Sequence, residues 1–419
     1  MKAVFIVWLC CTTIVVGQSP MPWLEAKATK LPSEFTNQES GYFSIIEGKN
    51  GLLYIGSAKY GVNGYLLEHD PKTGKTRMVM DVMKEIGSKA TGFAAQAKIH
   101  TRNNVGELTG KIYVGSKQGY PEKGETRAGY PGGYLLTYDP KEGKCEQFGI
   151  PYPKHGLASV MPDEVNGLVY VSTCSDDRPI DHTRFMIFDL KSKKYKDLGD
   201  FEHAYAFIVL DEKRRAYHPA IGGNVVRYDS ATAKLEQLLV TIDGKLPEYS
   251  LRRAGAILNW DTTSDRKLLY SVEMSTNQLY QFDLTQSGNT LHGKALGKLL
   301  PQAAATDCRA MCVAPNGKVW MAVTEQRRPG GPLMHLVSYT PGDASPKNHG
   351  PVRLANPDFT TFVDEQGKPK PWHHTIRKEK DGSMTPWQPL GIAAGADGSV
   401  YVVSIAPFTL LTFDKIGAR

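Results

Sequence analysis

One unit recurs from end to end of the chain, and that recurrence constrains the fold more than any other feature. An apolar strand leads through a turn to a second strand carrying an aromatic residue. These aromatics are Tyr54 in LLYIGS, Tyr113 in KIYVGS, Tyr170 in LVYVST, Tyr217 in RRAYHP, Tyr270 in LLYSVE, Trp320 in KVWMAV and Tyr401 in SVYVVS. A third strand then closes on an aromatic-Asp turn, as in EHDPKTGK, TYDPKEGK, IFDLKSKK, RYDSATAK and QFDLTQSG, with SYTPGDAS and TFDKI in the last two places. Both series have seven members and keep step with each other. Alternating or continuous apolar runs of this length, punctuated by Gly, Asp and Pro, read as strands joined by tight turns. Seven such units with no helical pattern between them predict an all-β, seven-bladed β-propeller of four-stranded antiparallel blades.

The two ends of the chain complement each other. The first six units each continue into a fourth, outer strand (TRMVMDV, CEQFGIP, KYKDLGD, LEQLLVTI, GKALGKLL, PVRLA), whereas the seventh stops at TFDKIGAR. The stretch WLEAKATKL, residues 23–31, precedes the first unit and is the expected missing strand, closing the ring and covering a bare edge. Before it, MKAVFIVWLCCTTIVVG places a lysine ahead of an apolar run that is short for a membrane span and reads as a secretory signal peptide. The expected organisation is therefore a leader over 1–17 and a single propeller domain over 18–419, secreted or periplasmic, with no membrane span and a monomeric state.

Four cysteines remain beyond the leader: Cys145, Cys174, Cys308 and Cys312. That is not a disulfide scaffold, and Cys308 and Cys312 fall within one expected strand, too far apart to bridge. The formal charge of +7 favours an acidic partner. Lys and Arg are scattered with no basic run, which argues against nucleic acid.

In a propeller, the starts of the inner strands and the loops between second and third strands share one face. That face collects eight of the 11 histidines: His100, His155 and His203 at inner strands, His182, His218 and His335 in loops, and His373 and His374 before the last unit. The long loop in SKQGYPEKGETRAGYPGGYLLTYDP, residues 116–140, lies there too. Loops of that length in compact domains are functional or disordered, and this one ends by entering a well-formed strand. It offers Gln118, Tyr120, Arg127 and Tyr130 beside His100. His182, Arg252, Arg253 and Arg309 complete the expected binding surface. Arg clamps a carboxylate or sulfate bidentately and Tyr stacks on a sugar face, so the set suits an anionic glycan.

Other chemistries are less well served. There is no G-x-S-x-G elbow and no phosphate-binding loop. Asp176, Asp177 and Asp181 crowd one loop and Asp307 and Glu325 another, but DDRPID reads as a self-capped turn rather than a glycosidase pair. A divalent metal held by Cys174, Cys308 and His373 or His374 is without any supporting ligand spacing, so the cofactor stays open. A lactonase or quinone-dependent dehydrogenase would need an Asp/Glu/Asn cage that is not evident. β-Elimination on a uronate needs a cation to acidify the C–H beside the carboxylate, a base and an acid, roles for which Arg, His and Tyr are suited.

The phrases AQAKIHT, KIYVGSKQGYP and YPGGYLLTYDP, then GLVYVST and FMIFDLKSKKYKDLG, and PLGIAAGADGSVYVVSIAPFTLLTF resemble the exported seven-bladed polysaccharide lyases of the ulvan-lyase type. They are more distantly similar to the oligogalacturonate lyases. The resemblance covers units two to four and, loosely, unit seven. It implies a catalytic inner-strand histidine at His100, which matches. It also implies a second histidine where Gln118 stands, a tyrosine where Cys174-Ser175 stand, and an arginine where His203-Ala204-Tyr205 stand; the metal set of the oligogalacturonate lyases is not reproduced by His373-His374. The expectation is a lyase on an acidic polysaccharide with His100, His203 and Tyr205 as the acid/base group, or a propeller that binds carbohydrate or protein without cutting.

Overall fold

A computed structural model describes residues 21–36, 40–121, 124–175, 182–201, 207–220, 224–246, 259–272, 277–356, 376–405 and 408–418. The expected leader, together with His203, Tyr205, Arg252, Arg253, His373 and His374, lies outside these residues. No helix among the described residues is long and apolar enough to cross a membrane. The described residues are all-β apart from single helical turns such as Val82–Glu85.

The strands pair into five large sheets and one hairpin. The first sheet orders Ser40–Glu47, Leu53–Ser57, Tyr65–His69 and Thr76–Asp81 antiparallel. The next is five-stranded because its inner strand is broken into Lys98–Ile99 and Asn104–Val105, both paired with Ile112–Lys117, before Leu135–Asp139 and Lys144–Gln147. A third antiparallel sheet runs from Gly156–Asp163 through Leu168–Cys174 and Arg184–Asp189 to Lys194–Asp200.

The remaining repeats do not stay separate. Strand Lys234–Ile242 pairs antiparallel with Val225–Asp229 through its first half and parallel with Thr290–Lys298 through its second, giving an eight-stranded sheet. The N-terminal strand Leu24–Lys30 does the same: Leu24 to Ala26 lie parallel to the outer strand Lys347–Leu354, and Lys27 to Lys30 lie antiparallel to Thr409–Phe413. Residues 23–31 therefore supply the fourth strand that the last repeat lacks. Both fusions have one cause. These outer strands are longer than their partners need, and their free edge groups find a second ladder.

The two repeat series meet at the contacts between sheets. Each second-strand aromatic is buried, from 0 to 3 % exposed. Tyr54 packs on Tyr138 of the next sheet with ring centres 5.9 Å apart, Tyr170 on Tyr228 at 6.3 Å and Tyr270 on Tyr339 at 6.0 Å. Tyr113 shares a buried cluster with Phe188, Tyr217 with Phe282 and Trp320 with Phe413. Tyr401, in the final repeat, is buried with Leu53 and Leu67 of the first sheet. The aromatic preceding Asp on the third strand is thus the partner of the aromatic on the preceding repeat's second strand.

The Asp that follows has its own task. Asp70, Asp139, Asp189, Asp229 and Asp283 each accept at 2.9 Å the backbone N–H two residues on, closing an Asx turn. Four residues after the Asp the backbone turns left-handed: Gly74 and Gly143 at φ 72° and 66°, but Lys193 and Ala233 at φ 58° and 55°. An L-residue with a side chain pays about 1 kcal/mol in that conformation where glycine does not. Ala233→Gly is expected to raise the urea midpoint of unfolding, and Gly143→Ala, its mirror test in an equivalent turn, to lower it.

Candidate anion-binding site at the strand ends

The side chains of interest lie where first strands begin and second strands end, around the broken inner strand Lys98–Ile99. Its pairing with Ile112–Lys117 sets Lys98 directly opposite Lys117. Both lysines are buried, 1 % and 0 % exposed. Like charges opposed across a ladder repel, so this placement needs compensation. Around Lys98 it comes from aromatic faces: its Nζ lies 5.0 Å from the ring centre of Tyr42, 5.1 Å from Tyr60 and 4.8 Å from Tyr120. Lys98 Nζ also donates to the Tyr60 hydroxyl at 3.5 Å, and Lys117 Nζ donates to Cys174 Sγ at 3.2 Å.

The tyrosines form a connected rim. The Tyr60 hydroxyl lies 3.4 Å from that of Tyr42, and the Tyr42 and Tyr120 hydroxyls are 3.5 Å apart. Tyr42 holds φ 64°, a region that bulky residues avoid and that tends to be occupied where function demands it. Tyr120 is half exposed, at 51 %, and is the most exposed of the three tyrosines.

His100 sits beneath this rim and is fully buried. The Tyr42 ring lies 4.7 Å from it and Phe43 meets it edge-on at 5.5 Å. Burial, reinforced by Lys117 and Lys98, holds its pKa well below the ordinary histidine value, so the ring is neutral. Gln118 follows Lys117 and is also buried, with its Oε1 against Gly156, where a Cβ would collide with it.

Outside residues 122–123, the loop from Gln118 to Tyr134 is held by packing and hydrogen bonds. Glu125 Oε1 accepts the N–H of Phe93 at 3.2 Å, and the Arg127 guanidinium lies 6.0 Å from the Phe93 ring. Tyr130 is buried and its hydroxyl donates to Gln96 Oε1 at 3.0 Å, so this tyrosine braces the loop from inside. The glycines of YPGG are dictated by the same packing. Gly132 adopts φ 128°, and a Cβ on Gly133 would run into the Ser116 carbonyl oxygen.

The other expected residues are placed as follows. His182 is half exposed and its Nδ1 lies 2.8 Å from Asp200. Arg309 is paired with Asp307 at 3.1 Å, and burial pushes the Asp307 carboxyl up against that pairing. Arg309 lines a narrow cavity of about 10 Å³ with Phe43, Arg102, Phe207 and Asn259. Arg102 crosses that interior to Asp261 at 2.6 Å and donates to the Trp260 carbonyl at 2.6 Å, linking the second repeat to the fifth. His335 lies on the strand Leu333–Tyr339, not in the loop before it, because the apolar run that forms the strand already begins at Leu333. Cys174 and Cys308 are buried and unbridged, and among the described residues no three His, Cys, Asp or Glu side chains group as a metal site.

Lys98 and Lys117 are the residues that a search for His, Arg and Tyr passes over. Both stand in conspicuous phrases, AQAKIHT and KIYVGSKQGYP, where Lys98 opens the short strand Lys98–Ile99 and Lys117 closes Ile112–Lys117. A lysine inside an otherwise apolar strand pattern was the available signal.

No family model and no curated protein matches the sequence. Solved structures do match. A chain of the mitotic checkpoint complex superposes with a TM-score of 0.55 at 7 % identity, over 99 % of this chain and 98 % of that one. The β-propeller domain of Cps50 (Swd1) from Myceliophteria thermophila gives 0.55 at 9 % identity over 92 % and 97 %, and U3-55K gives 0.53 at 7 % over 93 % and 98 %. The chain has the β-propeller fold.

Burial depresses the pKa of His69, His100, His335 and His349, the last to about 4. Below about 6.5 the unfolded chain takes up protons that these rings refuse in the fold, so stability is full above that pH and lost as the pH falls. The urea midpoint is expected to drop between pH 7 and pH 5, and His100→Gln to flatten the dependence by about one proton. An unchanged slope in that variant would contradict a buried, neutral His100.

Proposed function

We propose that this is an exported seven-bladed propeller whose channel mouth binds a uronate-containing acidic polysaccharide. The observation that carries the reading is the opposed Lys98–Lys117 pair under the rim of Tyr42, Tyr60 and Tyr120. A carboxylate at the rim would be drawn by the positive potential of the two lysines, and the tyrosines would stack on the sugar ring that bears it. Arg127 stands exposed at the outer edge of the same loop, in reach of a longer chain. The low similarity to the matched structures bears on fold alone, so the reading rests on this chain's own residues.

The test is calorimetric titration with oligogalacturonate, against a neutral dextran of equal length. Saturable binding is expected for the acidic oligomer only, weakening as salt rises. The volume-conserving variants Lys98→Met and Lys117→Met should each weaken it about tenfold or more, the size of one charged hydrogen bond. Equal retention of dextran, or binding unaffected by both variants, would sink the proposal.

A second reading, cleavage by β-elimination, is favoured by the Tyr60 hydroxyl lying 3.5 Å from Lys98 Nζ. In that reaction a base removes the proton on the carbon next to the carboxylate. The electron pair becomes the new C=C bond, the glycosidic C–O bond breaks, and an acid protonates the leaving oxygen. A phenol beside an ammonium suits either proton role. The burial of His100 beneath two aromatic rings favours binding without cleavage. Ultraviolet absorbance from an unsaturated product on incubation with uronate polymers, abolished in Tyr60→Phe, would establish the lyase; retention without that signal would establish the binding protein.

A further inference from the structure

A second pocket shares no residue with the surroundings of Lys98 and lies beside the sixth repeat. It has a volume of about 410 Å³ and is walled by Trp23, Leu300, Pro301, Ala303, Leu333 and Pro351. Its polar groups gather at one corner, where Glu325 ends the strand Val319–Glu325 and His335 faces it from the neighbouring strand Leu333–Tyr339. Arg328 also borders the pocket, with its guanidinium donating to the Gly331 carbonyl at 3.4 Å and lying 4.0 Å from Glu379.

The hydrogen bonds around His335 define its tautomer. The N–H of Gly350 donates to Asn348 Oδ1 at 2.9 Å, which orients that amide. Asn348 Nδ2 therefore faces His335 Nδ1, at 3.2 Å, and donates to it. In the neutral ring the proton is then on Nε2. Burial keeps the ring below its ordinary pKa despite the nearby Glu325. The side chain is nine-tenths buried, and its Nε2 has no hydrogen-bond partner among the described residues. The closest acceptor, Glu325 Oε2, is 3.5 Å away, too long for a well-formed bond. A buried donor left this way is destabilising, and a ligand oxygen would satisfy it.

We propose that this pocket binds a small phenol, a flat aromatic ring carrying one hydroxyl. The hydroxyl enters as the partly exposed Glu325 side chain swings back from its 3.5 Å approach to the ring, accepting from His335 Nε2–H and donating to the Glu325 carboxylate. The ring lies against Trp23 and the two prolines. A cavity of about 150 Å³ holds benzene, so this one accommodates a ring with a short substituent. A sugar would set hydroxyls against Leu300, Ala303 and Leu333, where they would go unpaired.

The test is titration calorimetry of the full chain with 4-ethylphenol and with its methyl ether, 4-ethylanisole. The two have the same ring, but the ether cannot donate to Glu325. Saturable one-to-one binding of the phenol, with the ether weaker by about tenfold or more, is the expected result. His335→Phe, checked for folding by its melting curve, should bring the phenol down to the affinity of the ether. Equal affinities in the wild-type protein would show an apolar cavity without polar recognition and overturn the proposal, as would failure of the phenol to bind. The wild-type comparison decides the matter even if the variant does not fold. An acidic oligosaccharide should leave phenol binding unchanged, so this result and the one at the channel mouth are independent.

Discussion

Strand Leu24–Lys30 carries the constraint on which the rest of the architecture depends. Its second half completes the last repeat, which otherwise ends on Thr409–Phe413 with an unpaired edge, and its first half extends the ladder to the sheet before it. Ala26 and Ala28 are buried in the cluster that also holds Trp320 and Phe413, so the strand is packed as well as hydrogen-bonded. Sequence-distant ends meet in one sheet, and Tyr401 can then pack against the first repeat. Without that strand, the last sheet would present open N–H and C=O groups to solvent and to other chains.

Within that frame the interior is locked by charge. Arg102, in the segment between the two halves of the broken inner strand, reaches Asp261 and the Trp260 carbonyl on a repeat that is not its neighbour. Below it, Arg214 and Arg266 converge on Glu107, and Arg214 also pairs with the buried Asp163. The turns at that end are thereby cross-linked. The opposite end is different in kind: its cations, Lys98 and Lys117, are embedded among aromatic rings and a thiol. One end is thus held by carboxylate–guanidinium pairs, whereas the other sets lysines against tyrosine faces.

Much of this was legible in the residues. The aromatic of each second strand and the aromatic-Asp of each third strand predicted the repeats, because both are local requirements: a ring to bury between sheets and a carboxylate to close a turn. Lys193 and Ala233 show that the turn does not require glycine, since they occupy the left-handed position that Gly74 and Gly143 hold in the equivalent turns. The site was only partly legible. His100 and Gln118 adjoin Lys98 and Lys117 in the chain, but both are buried, and Tyr130 braces the loop rather than facing outward. His335 stands in the sequence as one of several histidines, and its link to Glu325 and Asn348 depends on three strands and a turn.

The sequence by itself determined the all-β class, the repeat, the role of residues 23–31 and the turn chemistry, because each follows from periodicity and from contacts between residues close in the chain. Only the tertiary structure decided that two pairs of repeats fuse into eight-stranded sheets, that Lys98 opposes Lys117, and that Arg102 spans the interior to Asp261. Those outcomes depend on register and strand length. A shift of one residue would turn Lys98 to the other face of its sheet, and periodicity alone does not set the pairing of a strand only two residues long.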